Sequence, residues 1–229
     1  MPPVRYFSPA TFSFLRELAD NNNREWFAQN RDRYDRHVKE PSLRFISDFG
    51  PALRKISPHF RADPRGNGGS MFRIYRDTRF SKDKSPYKTY TGIQFRHEAG
   101  KDAHAPGFYL HLQPGQLFMG CGIWHPDSPT LRKIREAIDE DATGWRRAIG
   151  GKRFQEHFDL GGDSLARGPK GYDPEHPLIE DLRRKDFIAG TKLTQKAVTG
   201  TDFLADFATL CRATAPFQRW LCNAVGVAY

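Results

Sequence analysis

Apolar residues recur at helical spacing through the first sixty residues of the chain. Phe12, Leu15 and Ala19 share one face of a first predicted helix. A second helix is predicted to end near Glu40-Pro41, and a third is predicted to follow it with a kink at Pro51, because proline removes a hydrogen bond of the helix. The N-terminal part of the chain is therefore predicted to be helical.

Beyond residue 70 the spacing of apolar residues changes from a period of about 3.6 to a period of about 2. This alternation predicts strands over residues 71–76, 91–97, 107–113 and 116–124. The last two strands form the clearest hairpin, because a two-residue turn at Pro114-Gly115 places apolar side chains opposite one another. The predicted pairs are Leu112 with Leu117, Leu110 with Met119 and Phe108 with Cys121. A bulge is the alternative, since proline-glycine is commoner in other turns.

The rest of the chain reads as helices, with one further strand over residues 187–193. Helices, then a run of strands, then helices is the order of an α+β fold and not of alternating β-α-β units. We predict a single α+β domain over residues 1–229, helical over 1–60 and 128–229. Its antiparallel sheet of four to five strands lies mainly over residues 71–124, with the N-terminal and C-terminal helices packed on it.

Composition supports a folded core and an acidic partner. The 229 residues are 38% apolar and include 18 phenylalanines, which is too much packing material for a disordered chain. The formal net charge of +9 favours phosphates, nucleic acid or an anionic surface as partners.

Cysteine usage bears on the compartment. The three cysteines have no CxxC spacing, and no apolar leader precedes the first helix, so we expect a cytoplasmic, reducing location. Cys121 falls on the apolar face of the hairpin, where it is interpreted as a core residue and not as a nucleophile. No apolar stretch is long enough for a membrane span.

The densest positive charge lies at residues 73–88, which we call the basic loop. Its six basic residues outnumber its two acidic residues: Arg73, Arg76, Arg79, Lys82, Lys84 and Lys88 against Asp77 and Asp83. Guanidinium groups bind phosphate or carboxylate through two hydrogen bonds, and lysines act as point charges. The alternative is that the arginines pair with nearby carboxylates, so that the loop is a charged brace.

The second face of the sheet is predicted to carry polar side chains. If the alternation of each strand carries over to the next, this face holds Arg73, Tyr75, Asp77, Gln94, Arg96, Tyr109, His111 and Gln113. Gly107, Gly120 and Gly122 add no side chains there, so we predict a shallow polar trough with a glycine floor. The alternative is that these glycines make room for a packed tryptophan, Trp124 or Trp145.

Candidate chemistry outside the basic loop is sparse. Lys170 lies in a second glycine-rich and proline-rich loop, before a predicted helix N-terminus that favours negative charge, although an ordinary linker is the alternative. The common dinucleotide, P-loop, nucleophile-elbow and zinc-helix motifs do not occur. Asp77 and His111 are the candidates for a general base. Carboxylates are too few near the basic loop to predict a metal site, and the sequence indicates no particular cofactor.

Four linked motifs carry a family resemblance: FRIYRDTRFSKDKSPYKT, GFYLHL, GCGIWHPDSPTLRKIR and GPKGYDPEHP. They resemble the bacterial and fungal family DUF 2461, over residues 12–217. The resemblance implies one complete domain, with Arg76, Asp77, Arg79, Phe80, Asp83, Lys84, Pro86, Tyr87 and Lys88 in a first signature and Gly171, Tyr172, His176 and Pro177 in a second. It implies no activity, because that family has no established substrate or cofactor. The chain departs from the family pattern at residues 65–69 and 101–105, which we interpret as local insertions.

Three hypotheses follow for function. The first is binding of a phosphate-bearing small molecule or nucleic acid by the basic loop and Lys170, together with Tyr109 and His111 on the sheet. The second is an enzyme of unassigned class in the same cleft, performing acid-base or phosphoryl chemistry, with Asp77 or His111 as base and arginines stabilising negative charge. The third is a structural or adaptor domain with internally paired charges.

Overall fold

A computed structural model describes residues 4–100 and 105–229 of the chain. The N-terminal helices are α1 (Pro9–Asp20), α2 (Arg24–Gln29), α3 (Arg31–Tyr34) and α4 (Glu40–Ile56), with a π-helical turn at Asp35–Lys39. The strands are β1 (Thr91–Arg96), β2 (Gly107–Gln113), β3 (Gln116–Ile123), β4 (Asp159–Gly161) and β5 (Phe187–Lys192). The remaining helices are α5 (Ser128–Glu140), α6 (Ala142–Gly150), α7 (Lys152–His157), α8 (Ile179–Leu182), α9 (Gln195–Val198), α10 (Phe203–Ala213) and α11 (Ala215–Val225). This order of elements confirms the predicted α+β class.

The first helix begins at Pro9, because Ser8 and Thr11 form a capping box and proline is favoured in the first turn. The predicted helix end at Pro41 is wrong. The π-helical turn leads directly into α4, and Pro41 lies in the first turn of α4, where a helix tolerates proline. Pro51 lies inside α4, which continues to Ile56.

The sheet is antiparallel throughout, with strand order β1-β2-β3-β5-β4. The register of the β2-β3 hairpin is the predicted one: Phe108 lies opposite Cys121, Leu110 opposite Met119 and Leu112 opposite Leu117. Gln113 pairs with Gln116 across the two-residue turn, in which Gly115 has a φ of 81°. Glycine adopts this left-handed conformation without the steric cost that other residues incur.

The predicted strand over residues 71–76 does not form, and it is replaced by isolated bridges. Phe72 donates to the carbonyl oxygen of Gly92, but further along the segment Arg76 donates to the carbonyl oxygen of Pro86. The segment therefore pairs briefly with the edge of β1 and then turns away to pair with the returning arm of the basic loop. The sheet begins at Thr91 instead.

The last two strands come from the C-terminal half of the chain. The predicted strand over residues 187–193 is observed as β5. A three-residue strand, β4, pairs with its outer edge and places Leu160 opposite Ala189. The segment before β4 forms two helices, α6 and α7, which are divided at Gly151.

Helices cover one face of the sheet, and aromatic rings fill the space between them. The ring of Phe95 from β1 contacts Phe49 of α4 and Phe207 of α10, with ring centroids 4.8 and 6.0 Å apart. Cys121 is buried on this face, and burial raises the pKa of its thiol to about 12. The core role predicted for Cys121 is therefore confirmed. The opposite face, here called the outer face, carries the candidate site.

Candidate ligand-binding site

The outer face of the sheet forms a groove with a glycine floor. Five glycines from four strands lie along it: Gly107, Gly120, Gly122, Gly161 and Gly190. Its walls are mostly aromatic, formed by Phe72, Tyr90, Tyr109, Phe118 and Trp124. The groove has a volume of about 550 Å³, which lies in the usual range for small-molecule sites of roughly 300–1,000 Å³. We call it the glycine groove.

The floor glycines serve two different purposes. Gly122 has a φ of 110°, and a Cβ atom there would lie 2.1 Å from the carbonyl oxygen of Phe187, so the backbone itself requires glycine. At Gly120 an added Cβ would meet no atom closer than 3.8 Å, and at Gly161 it would meet none within 4 Å. These two positions leave space above the sheet that a side chain could occupy.

The glycines do not make room for a packed tryptophan. Trp145 lies in the core, where its ring contacts Phe187 and Trp220. Trp124 is 49% exposed and forms part of the groove wall, but the atoms nearest to a Cβ on Gly120 belong to other residues.

The groove is more apolar than the predicted polar trough. The trough was expected to include Arg73, Tyr75 and Asp77, but these residues leave the sheet with the segment that turns away from β1. Gln94 and Asp159 are the charged or amide-bearing residues of the described part of the chain that line it. The groove therefore combines a flat floor, aromatic walls and little charge.

A second cavity, of about 630 Å³, lies beside the basic loop. Arg76, Asp77, Asp83 and Lys88 line it, and Tyr90 lines both this cavity and the glycine groove. We call it the loop cavity.

The α1–α2 turn holds one side of the loop cavity in place. The side-chain amide of Asn22 donates to the carbonyl oxygen of Tyr87 at 2.9 Å and accepts from the backbone N–H of Tyr87 at 3.0 Å. The ring of Tyr87 stacks on Phe27 with centroids 4.1 Å apart. These contacts fix the position of the chain immediately before Lys88.

Lys88 lies between the two cavities. Its Nζ donates to the carbonyl oxygen of Arg73 at 2.8 Å and lies 5.6 Å from the ring centroid of Phe72, a wall of the glycine groove. Burial, and then the neighbouring charge of Arg73, lower the pKa of Lys88. Among the residues described, no carboxylate lies within 4.0 Å of this ammonium group.

The tip of the basic loop is held by its own ion pairs. Arg79 contacts Asp77 at 2.7 Å, and Arg76 contacts Asp83. The hydrogen bonds from Arg79 lower the pKa of Asp77 to about 2. The pKa of Asp83 is lowered first by its hydrogen bonds from Ser85 and then by Arg76.

His111 is enclosed by aromatic rings and hydrogen bonds. Its Nε2 lies 3.1 Å from Oε1 of Gln113, and its Nδ1 lies 3.0 Å from the hydroxyl of Tyr109. Because the amide oxygen can only accept, Nε2 donates to it, and Nδ1 of the neutral ring accepts from Tyr109. Burial lowers the pKa of His111, which favours this neutral form. The ring centroids of Phe118 and Tyr90 lie 4.7 and 4.6 Å from that of His111, and both of these rings line the glycine groove.

A comparison with known protein families identifies the chain. The model of the family described as "Conserved hypothetical protein (DUF2461)" matches residues 10–220. The chain belongs to the DUF2461 family. This confirms the resemblance seen in the sequence. No curated protein and no solved structure matches the chain.

The first DUF2461 signature coincides with the basic loop, and only some of its residues line a cavity. Arg76, Asp77 and Lys88 line the loop cavity, whereas Arg79, Lys82 and Lys84 line neither cavity. Lys84 instead donates to the carbonyl oxygen of Thr78 at 2.9 Å. Arg73 is exposed and contributes its carbonyl oxygen to Lys88.

The second DUF2461 signature contacts helix α5, and its residues line neither cavity. His176 contacts Asp139 of α5 at 3.1 Å, and its Nδ1 accepts from the backbone N–H of Leu178. Lys170, which the sequence proposed as a ligand contact, lies in this exposed loop and lines neither cavity. Of the two segments interpreted as insertions, the one over residues 101–105 falls mainly outside the described residues.

The sequence did not indicate most of the groove. Phe72, Tyr90, Phe118, Asp159, Gly161 and Gly190 were not among the predicted site residues. The alternation of β3 places Phe118 on the same face as Gly120, so that residue could have been found. Asp159 and Gly161 belong to β4, which gives no periodic signal because it is only three residues long.

Within residues 4–100 and 105–229, His, Cys, Asp and Glu side chains do not gather into a group that could hold a metal ion. In the same residues, no helix has both the length and the apolar character needed to cross a bilayer.

Proposed function

We propose that this DUF2461 protein binds a small molecule through an anionic group, of which phosphate is the best fit, at Lys88. The observation that carries the proposal is the partly buried ammonium of Lys88, which has no carboxylate partner in the part of the chain that the structure describes. Removing a charge from water is costly unless it is paired. An anion in the loop cavity would provide the missing partner.

Arg76 supports the same location. It lines the loop cavity with Lys88, and its present partner, Asp83, is 59% exposed at its side chain. Exposed ion pairs contribute little to stability. A phosphate that offers two oxygens to Arg76 can therefore replace Asp83 with little loss of folding free energy. Arg79 is different, because it does not line the loop cavity and its ion pair with Asp77 braces the tip of the loop.

A small molecule fits better than a nucleic acid. The loop cavity is lined by residues of the basic loop and by Ala19 of α1. Nucleic-acid binding would instead use the exposed charges of the loop tip and would weaken steeply with salt.

Binding is proposed in preference to catalysis by Asp77 or His111. A carboxyl group with a pKa of about 2 is a weak base at neutral pH. Both ring nitrogens of His111 already have hydrogen-bond partners.

We further propose a cytoplasmic location, which the free and buried thiols of Cys121, Cys211 and Cys222 support.

Replacing Lys88 tests the proposal. Lys88→Met removes the charge but keeps an apolar side chain against Phe72, so we expect affinity for inorganic pyrophosphate to fall about tenfold or more, as for the loss of a charged hydrogen bond. Isothermal titration calorimetry at fixed salt measures this affinity.

Lys152→Met is the matched control. Lys152 has a side chain that is 89% exposed, so the variant makes the same change in net charge away from both cavities. An equal loss of affinity in both variants would show that only net charge matters. Wild-type protein that does not bind pyrophosphate would also contradict the proposal.

A further inference from the structure

We propose that the glycine groove is a ring-binding subsite joined to the anion site, so that the ligand is a phosphate ester of a planar aromatic or heteroaromatic ring system. Nucleotides belong to this chemical class. The inference rests on the proposed function, because it takes the anion at Lys88 as given.

The floor of the groove is open to a flat ligand. At Gly120 the nearest atoms to an added Cβ lie at 3.8 Å or more, and at Gly190 the nearest is the carbonyl oxygen of Met119 at 3.5 Å. These two residues pair with each other across β3 and β5. Strand positions without side chains allow a ligand to lie directly on the backbone.

The walls of the groove suit a ring. The ring of Tyr109 contacts Phe72 and Phe118, with centroids 5.8 Å apart in both cases, and these three rings form one wall. Trp124 also lines the groove and leaves about half of its surface exposed. Aromatic rings pair favourably in edge-to-face or offset geometry at such distances. A planar ring between the walls would cover apolar surface that now faces solvent.

Charge determines which kind of ring ligand fits. The Nζ of Lys88 lies against the ring of Phe72, so the cation is located at the end of the groove wall. Tyr90 lines the groove and the loop cavity, and therefore marks where the two spaces meet. A ligand with its ring over Gly120 and its anionic group towards Tyr90 would occupy the glycine groove and also neutralise the charge of Lys88. A neutral ring would leave Lys88 without a counterion.

Polar groups along the groove are suited to the edge of a heterocycle. Gln94 lines the groove beside Gly107, and its Nε2 lies 3.7 Å from where a Cβ on that glycine would be. Asp159 lines the groove from β4, so amide and carboxylate groups are both present. A few such groups among apolar walls are typical of small-molecule sites.

Three probes separate the ring from the charge: inorganic phosphate, 1-naphthyl phosphate and 1-naphthol. We expect the wild-type protein to bind 1-naphthyl phosphate about tenfold or more tightly than inorganic phosphate, because the ring buries apolar surface in the groove. Gly120→Leu fills the groove floor, so it should abolish this difference and leave the affinity for inorganic phosphate unchanged. Gly161→Leu, at a second open floor position, provides the same test if Gly120→Leu does not fold.

Gly150→Leu is the control, because Gly150 also has no atom within 4 Å of an added Cβ but lies at the end of α6, outside the groove. This variant should bind all three probes as the wild type does. Size-exclusion chromatography on the same variants tests for a second copy of the chain as occupant. A wild-type dimer that Gly120→Leu dissociates would overturn the inference.

The binding outcomes distinguish the inference from the proposed function. Equal affinity of the wild type for inorganic phosphate and 1-naphthyl phosphate would overturn the ring subsite and leave the anion site standing. Tight binding of 1-naphthol that its phosphate does not improve would show that the groove takes a ring without the charge, and would overturn both. An undiminished preference for the ester in Gly120→Leu would place the ring elsewhere and overturn the inference alone.

Discussion

Phe45→Ala is expected to lower the free energy of unfolding by about 3–5 kcal/mol, the range found when a fully buried phenylalanine is truncated to alanine. Phe45 lies in α4, is fully buried, and contacts rings from α10 and β1. Its ring centroid lies 5.3 Å from Phe203, 5.6 Å from Phe207 and 6.4 Å from Phe95. The substitution therefore removes contacts that join α4, α10 and β1. Urea unfolding followed by circular dichroism measures the change.

Phe80→Ala is the matched control for Phe45→Ala, because the substitution is chemically identical but Phe80 is 95% exposed in the basic loop. Its effect should stay within about 0.5 kcal/mol of the wild type, as for most surface substitutions. Similar effects of the two variants would contradict the placement of the core between α4, α10 and the sheet.

Gly122→Ala is expected to cost about 3 kcal/mol of unfolding free energy, combining strain at a positive φ with overpacking against the neighbouring strand. The added Cβ would lie 2.1 Å from the carbonyl oxygen of Phe187, which is backbone of β5 and cannot move without disturbing the β3–β5 pairing. Chemical denaturation of the purified variant gives the value.

Gly120→Ala is the control for Gly122→Ala, two residues earlier on the same face of the same strand. Its Cβ would meet only ordinary contacts at 3.8 Å or more. Alanine is favoured over glycine inside a strand by roughly 0.5–1 kcal/mol, so this variant should be as stable as the wild type or slightly more stable. A large loss at Gly120 would mean that the groove floor is already filled.

The hairpin could be predicted correctly because both of its strands alternate apolar and other residues in the same way and the two-residue turn fixes their offset. Leu110 and Met119 could be paired from the sequence alone. The segment over residues 71–76 has a similar composition, but its backbone groups pair with the far arm of the basic loop. The sequence pattern of a segment does not show which of two neighbouring segments its backbone groups will pair with.

The candidate site was predictable only in part. The sequence indicated the basic loop and three of the floor glycines. It could not rank Lys88 above the other five basic residues of the loop, because the difference lies in its partial burial and in the carboxylates taken by Arg76 and Arg79. Nor could it show that the trough would be apolar, since β4 and β5 bring Gly161 and Gly190 to the floor from distant parts of the chain.

Titration of the Lys88 ammonium by NMR, with its signal assigned through its loss in Lys88→Met, tests the anion site most directly. Burial and Arg73 lower the pKa of Lys88 from its ordinary value of 10.5, whereas a bound phosphate favours the charged form and raises it. By linkage, phosphate affinity should then fall as the pH rises through the pKa of Lys88 in the free protein. We predict that the pKa of Lys88 lies below its ordinary value in the free protein and rises when inorganic phosphate is added. A Lys88 pKa that saturating phosphate leaves unchanged would contradict the account.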